Sequence, residues 1–225
     1  MEIEDLRLTV YEQFARSGRA PTATELTTRF DVPVTEVAEA LSELASRRHL
    51  ALDPARSDDG VPRIALAHPF SSIPMGFSVM GRETLWWGGC AWDSFALPHL
   101  VPDDPEVLVA TTCPACGRPH AWVVGRDGPP PGDQLAHFLV PADRMWDDVI
   151  HTCSHQRIFC DQACVDRWLA ESGLERGYVM NLVTLWRFAS HWYDGRLDRG
   201  YRRREPSDAA AYLRSVGLEG PFWGL

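Results

Sequence analysis

Cys90 and Asp93 stand three positions apart in the stretch WWGGCAWDSFALP, which is otherwise apolar, aromatic and glycine-rich. A thiolate is a nucleophile and a ligand for soft metals, and a carboxyl group can give or take a proton. If the segment after Cys90 is helical, positions i and i+3 share a face and the two groups lie side by side. The glycines ahead of the thiol permit a tight turn. A plainer alternative remains open: a buried Cys90 acting as a small hydrophobe, with Asp93 capping the next helix, SFALPHL.

The remaining cysteines fall in two places. Cys113 and Cys116 stand in TTCPACGRPH, and a Cys-x-x-Cys-Gly turn after a strand has the form of a zinc knuckle. Cys160 and Cys164 form a second pair in RIFCDQAC, one residue wider, and Cys153 and His155 precede it in HTCSH. Both pairs together would close a four-cysteine zinc site. The expected arrangement is a partial one, in which Cys113 and Cys116 bind structural zinc with Cys164, Cys153 or His155 and leave Cys160 free. Plain packing is the alternative for Cys116 and Cys153.

Around these residues the periodicity implies an α+β fold. Apolar positions at helical spacing predict a helix over 4–16, a second helix after Thr22 or Thr24 with Glu25 completing a capping box, and a third with Val37, Leu41 and Leu44 inward. LAL and RIALA, with DPARSDDGVP between them, predict a two-stranded wing with a polar tip. Residues 1–68 therefore read as a winged-helix-like three-helix domain. AHPFSSIP reads as a linker. Residues 76–225 read as a mixed or antiparallel β core built from GFSVM, TLWWG, EVLVATT, HAWVVG and LAHFLVP, followed by C-terminal helices at ACVDRWLAES, YVMNLVTLWRFASHWYDGRL and EPSDAAAYLRSVGL, the last with Ser207 as its cap. The apolar terminus GPFWGL is expected to dock on the body.

Composition narrows the function. The 225 residues carry a formal net charge of -9. Glu36, Glu39 and Glu43 occupy the solvent face of the third helix, where a reader of DNA would need cations, so no nucleic-acid partner is expected. No apolar run is long enough for a membrane helix, and the N-terminal stretch lacks the form of a secretory signal. The expected setting is cytoplasmic, with reduced thiols, where metal or catalytic roles outrank disulfides.

The segment FSVMGRETLWWGGCAWDSFALPHL resembles the catalytic segment of the alkylmercury lyases, in which an aromatic-rich strand leads to Cys-x-x-Asp and then an apolar helix reaching a proline. The helical N-terminus, the turn from Cys113 to Gly117 and the pair Phe159–Cys160 extend the similarity over roughly residues 1–170. The chain departs from the family pattern at Asp161, where a second cysteine is common, at Cys116, and in its longer tail.

The resemblance implies protonolysis of a carbon–mercury bond, with an organomercurial substrate and a thiol reductant or mercuric-ion acceptor as partners. It assigns Cys90 and Cys160 as the mercury-holding thiolates, Cys90 capturing first, and Asp93 as the acid that protonates the leaving carbon. No cofactor is required for that chemistry; the only expected resident metal is structural zinc. Mercury is soft, so thiolates are its natural ligands. In an apolar setting the charged form of a carboxyl group is desolvated, which keeps its proton available. Trp86, Trp87 and Trp92 would supply the dry wall. Two alternatives are a non-catalytic zinc or soft-metal binder, such as a sensor, and a lyase-like paralogue with another substrate.

Overall fold

The computed structural model describes residues 1–58 and 60–225; Asp59, in the expected hairpin tip, lies outside the described residues. The chain opens with α1 (Ile3–Ser17), α2 (Ala23–Phe30) and α3 (Val34–Ser46), followed by a hairpin of β1 (Ala51–Asp58) and β2 (Val61–Ala67). Leu6, Val10 and Phe14 make the buried stripe of α1, and Val37, Leu41 and Leu44 that of α3. Thr22 caps α2 in a capping box: the Glu25 amide donates to Thr22 Oγ1 at 3.2 Å, and the Thr22 amide donates to Glu25 Oε2 at 2.8 Å.

The hairpin does not stand apart as a wing. β2 pairs with β3 (Phe70–Ser71), and β3 pairs with β5 (Leu85–Gly88), which is joined to β4 (Phe77–Met80). The residues expected to form a linker thus carry a strand of the main sheet. The reason is Phe70, which is fully buried and stacks on Phe14 of α1 with ring centroids 5.5 Å apart. A solvated linker would leave that ring in water. The boundary expected near residue 68 therefore crosses a continuous sheet.

After β5 comes α4 (Ala91–Leu100), then the hairpin β6 (Glu106–Thr112) and β7 (Pro119–Gly125). The large sheet runs β1-β2-β3-β5-β4-β6-β7. All of α4 except His99 is buried, as befits a helix apolar on every side. It packs against β4 to β7 and against a later helix, which places its first turn in the middle of the molecule.

The second half adds β8 (Leu135–Phe138), α5 (Val149–Ser154), β9 (Gln156–Phe159), α6 (Gln162–Ser172), β10 (Tyr178–Asn181), α7 (Leu182–Ser190) and α8 (Pro206–Ser215). A small sheet runs β10-β8-β9, and the strand pairs described in both sheets are antiparallel. Two local expectations are corrected. The helix expected from Tyr178 starts only at Leu182, because Tyr178–Asn181 pairs with β8 and the Asn181 side chain then caps α7, accepting from the Thr184 amide at 2.8 Å. Ser207 is not the cap of α8; Glu205 holds that position, and Pro206 opens the helix with its fixed φ. The terminus docks as expected: Trp223 is buried with its ring 5.3 Å from Phe188 and 6.1 Å from Phe138.

Candidate functional site

The turn between β5 and α4 carries the thiol and the acid. Cys90 is the N-cap of α4, and its Sγ accepts from the Asp93 amide at 3.4 Å. Asp93 thus sits in the first helical turn instead of capping it. Both residues are buried, Asp93 completely. The two glycines matter for space more than for turning. A Cβ at Gly89 would lie 2.4 Å from Asp93 Oδ2, and one at Gly88 would lie 2.0 Å from Ser94 Oγ. Only a residue without a side chain lets the strand end pass this close to the carboxyl group.

The second sulfur beside Cys90 is Cys153, not Cys160. Cys153 lies in α5, is buried and lines the same pocket as Cys90, close enough for each thiol to shift the other's ionisation. His68, in the bend between β2 and β3, places Nε2 3.3 Å from Cys153 Sγ and 4.0 Å from Asp93 Oδ2. Tyr193, in the turn after α7, donates its hydroxyl to Asp93 Oδ1 at 2.5 Å. Asp93 Oδ2 has no hydrogen-bond partner. One carboxylate oxygen is therefore fixed and the other is free.

A buried arginine holds this floor from below. Arg196 Nη1 donates to the His68 carbonyl at 3.2 Å and to the Tyr11 hydroxyl at 3.0 Å, and its guanidinium lies 4.8 Å from the Tyr193 ring centroid. Arg7 of α1 in turn donates to the Arg196 carbonyl at 2.7 Å. The N-terminal helices are thus part of the wall that positions the site.

The electrostatics divide the two thiols. Burial, followed by the neighbouring Cys153 and Asp93, pushes the Cys90 thiol well above its ordinary value. For Cys153, the hydrogen bond from Cys90 leads, burial opposes it and the His68 charge assists; the thiol is brought down to about 7. Burial pulls the His68 imidazole down, but the Asp93 and Cys153 charges outweigh it and hold the ring more basic than an ordinary histidine. Near neutral pH the arrangement favours a thiolate at Cys153 over one at Cys90, beside a His68 ring made more basic than usual.

These groups open into a cavity of about 430 Å³. Trp92, Phe188, Trp192 and Trp223 line it with apolar surface, while Arg48, Arg203 and Arg204 also line it and supply positive charge. Trp92 stacks on Phe188 at 3.9 Å between centroids. The other tryptophans expected as a dry wall serve differently. Trp86 is buried and donates to the Phe14 carbonyl at 2.9 Å, and Trp87 is exposed.

Cys160 lies elsewhere. Its sulfur groups with those of Cys113, Cys116 and Cys164, all within 4.8 Å of one another, so the trio Cys90, Asp93 and Cys160 does not converge. The physical reason is the short strand β9, which carries the chain from α5 at the pocket to the far end of the small sheet before Cys160 is reached. Two features missed in the sequence, His68 and Tyr193, had no local signal: one sits in an apparent linker and the other near the end of a stretch that reads as one long helix, although α7 stops at Ser190.

Comparison with known proteins gives three findings. The alkylmercury lyase (MerB) family model matches residues 70–194, a span that includes Cys90, Asp93, Cys153 and Tyr193. The crystal structure of the mercury-bound form of MerB2 is similar with a TM-score of 0.62 at 19% identity, over 87% of this chain and 97% of that chain, a likeness of fold. No curated protein matches the chain.

Proposed function

The chain belongs to the alkylmercury lyase family, and from that premise we propose that it cleaves a carbon–mercury bond by protonolysis, with Cys90 and Cys153 holding the metal and Asp93 moving the proton. The observation that carries this reading is the buried thiol pair beside a carboxyl group with one free oxygen.

The steps follow from the geometry. The Cys153 thiolate displaces the ligand X from R–Hg–X and forms a sulfur–mercury bond. The Cys90 sulfur then binds the same mercury and its proton passes to Asp93. Asp93 gives that proton to the carbon as the carbon–mercury bond breaks, and R–H leaves. Mercury(II) remains on the two sulfurs. The order of capture is the reverse of that expected from the sequence, because Cys153 and not Cys90 is the more acidic thiol. Tyr193 holds Oδ1 and leaves Oδ2 without a hydrogen-bond partner, available to carry the proton. The aromatic wall suits an organic R group. A thiol acceptor then carries the metal away, and Arg48, Arg203 and Arg204 along the cavity favour an anionic one.

A soft-metal sensor would need the thiols but not the acid, so Asp93 decides between the readings. Purified protein is incubated with phenylmercury and excess thiol, and benzene is measured. Wild-type protein should release benzene. Asp93→Asn should still capture mercury but lose cleavage on the order of 10²–10⁴-fold, the usual contribution of a general acid. Wild-type turnover in Asp93→Asn would overturn the mechanism.

A further inference from the structure

The four cysteines outside the pocket form a site of their own. Cys113 and Cys116 flank the turn that leaves β6, and Cys160 and Cys164 flank the junction of β9 and α6. We propose that these four thiolates bind one structural zinc ion that clamps the β6–β7 turn to the β9–α6 junction. This goes beyond the lyase reading and does not depend on it.

The local backbone is already shaped for such an ion. In the first half, the Gly117 amide donates to the Cys113 carbonyl at 2.9 Å, and the Cys113 amide donates to the Arg118 carbonyl at 2.9 Å. Gly117 has φ +71, and a Cβ there would meet nothing within 4 Å, so conformation and not crowding selects glycine. This tight turn aims both sulfurs the same way. In the second half, Asp161 caps α6 by accepting from the Cys164 amide at 2.8 Å, which turns Cys164 back toward Cys160.

The sulfurs themselves converge on a point. Cys116 Sγ lies 3.4 Å from Cys160 Sγ, and all four lie within 4.8 Å of one another. Four sulfurs each about 2.3 Å from one zinc ion stand roughly 3.8 Å apart, so the cluster needs only small adjustments. Two disulfides would instead draw the sulfurs into separate pairs at about 2.05 Å.

The surroundings suit the charge of a tetrathiolate. Zinc binding releases four thiol protons to solvent and leaves a site of charge about −2. His120 places Nε2 3.4 Å from Cys160 Sγ, and Arg167 donates from Nη2 to Cys164 Sγ at 3.5 Å. The apolar packing here is slight: Phe159, Val165 and Leu169 join Cys113 and Cys164 in a small cluster apart from the main core. A metal supplies the cohesion that so few side chains do not.

The test reads metal and not turnover. The full chain purified without chelator should hold about one zinc per chain, and exchange with cobalt(II) should give thiolate-to-cobalt charge-transfer bands with the visible bands of a tetrahedral site. Cys116→Ser should abolish those bands, while Cys116→His, which still offers a ligand, should keep zinc. The double variant Cys90→Ser, Cys153→Ser should leave metal content and spectrum unchanged. Should Cys116→Ser fail to fold, the wild-type metal content and cobalt spectrum decide. A zinc-free protein that takes up no cobalt, bands that survive Cys116→Ser, or a mass showing two disulfides would overturn the site.

Discussion

The Tyr193 hydroxyl donates to Asp93 Oδ1 across 2.5 Å from a turn 100 positions further along the chain. Both groups are buried, so the bond is made without competition from water. Tyr193→Phe removes it and leaves a buried carboxylate oxygen with no partner. A hydrogen bond to a charged group is worth about 1.5–3 kcal/mol, so carbon–mercury cleavage should slow on the order of 10- to 100-fold. Mercury binding, which rests on the thiols, should be retained. Equal losses of capture and cleavage, measured by mercury retention and benzene release, would contradict this role.

The two candidate second sulfurs can be separated by substitution. Cys153→Ser should fold normally and lose both tight mercury binding and turnover. Cys160→Ser should keep turnover per folded molecule and lower the melting temperature instead, because Cys160 belongs to the four-sulfur cluster. Thermal melts run beside single-turnover assays distinguish the pair. A Cys160→Ser protein that is folded but inert would restore the assignment expected from the sequence.

The rate of mercurial capture should rise with pH through about 7, where the Cys153 thiol ionises. Below that pH the nucleophile is protonated and capture falls. Because the Cys90 hydrogen bond is the larger influence and the His68 charge assists, both Cys90→Ala and His68→Gln should move the inflection upward, toward the ordinary thiol value of about 8.5. Stopped-flow capture across a pH series reads this directly. An inflection that stays near neutrality in both variants would show that neither neighbour sets it.

Trp223 anchors the terminus between Phe138, Phe188 and Tyr178. Trp223→Ala should cost about 3–5 kcal/mol, the usual penalty for emptying a buried aromatic site. It also removes part of the cavity wall, so the Michaelis constant for phenylmercury should rise. A melt and a rate series that both match wild type would make the tail dispensable.

Much of the scaffold was legible because it rests on local rules. The stripe of α1, the Thr22–Glu25 box and the alternation of β6 and β7 each announce themselves within a few residues. Cys90 and Asp93 were legible for the same reason, being three positions apart. Cys153 was not, since only the third dimension puts it beside Cys90. A signal did exist: once Cys113, Cys116, Cys160 and Cys164 satisfy a tetrahedron together, Cys90 and Cys153 are the two cysteines left over. His68 and Tyr193 carry no such arithmetic. Each sits where the sequence pattern suggests something else: His68 in a turn beside Phe70, which pairs into the sheet, and Tyr193 beyond the end of α7 at Ser190.

The contact between Arg7 and Arg196 joins residues 189 positions apart, and this has a consequence for biosynthesis. The floor of the pocket cannot be assembled until nearly the whole polypeptide has emerged from the ribosome. At roughly 5–20 residues per second, the 100 residues separating Asp93 from Tyr193 take roughly 5–20 s to translate. During that interval Cys90 is a thiol on an unfinished chain; Cys153 joins it only after 153 − 93 = 60 of those residues, and Asp93 still lacks the Tyr193 hydroxyl that orients it. The acid is therefore the last of the three reacting groups to be set in place, after both thiols.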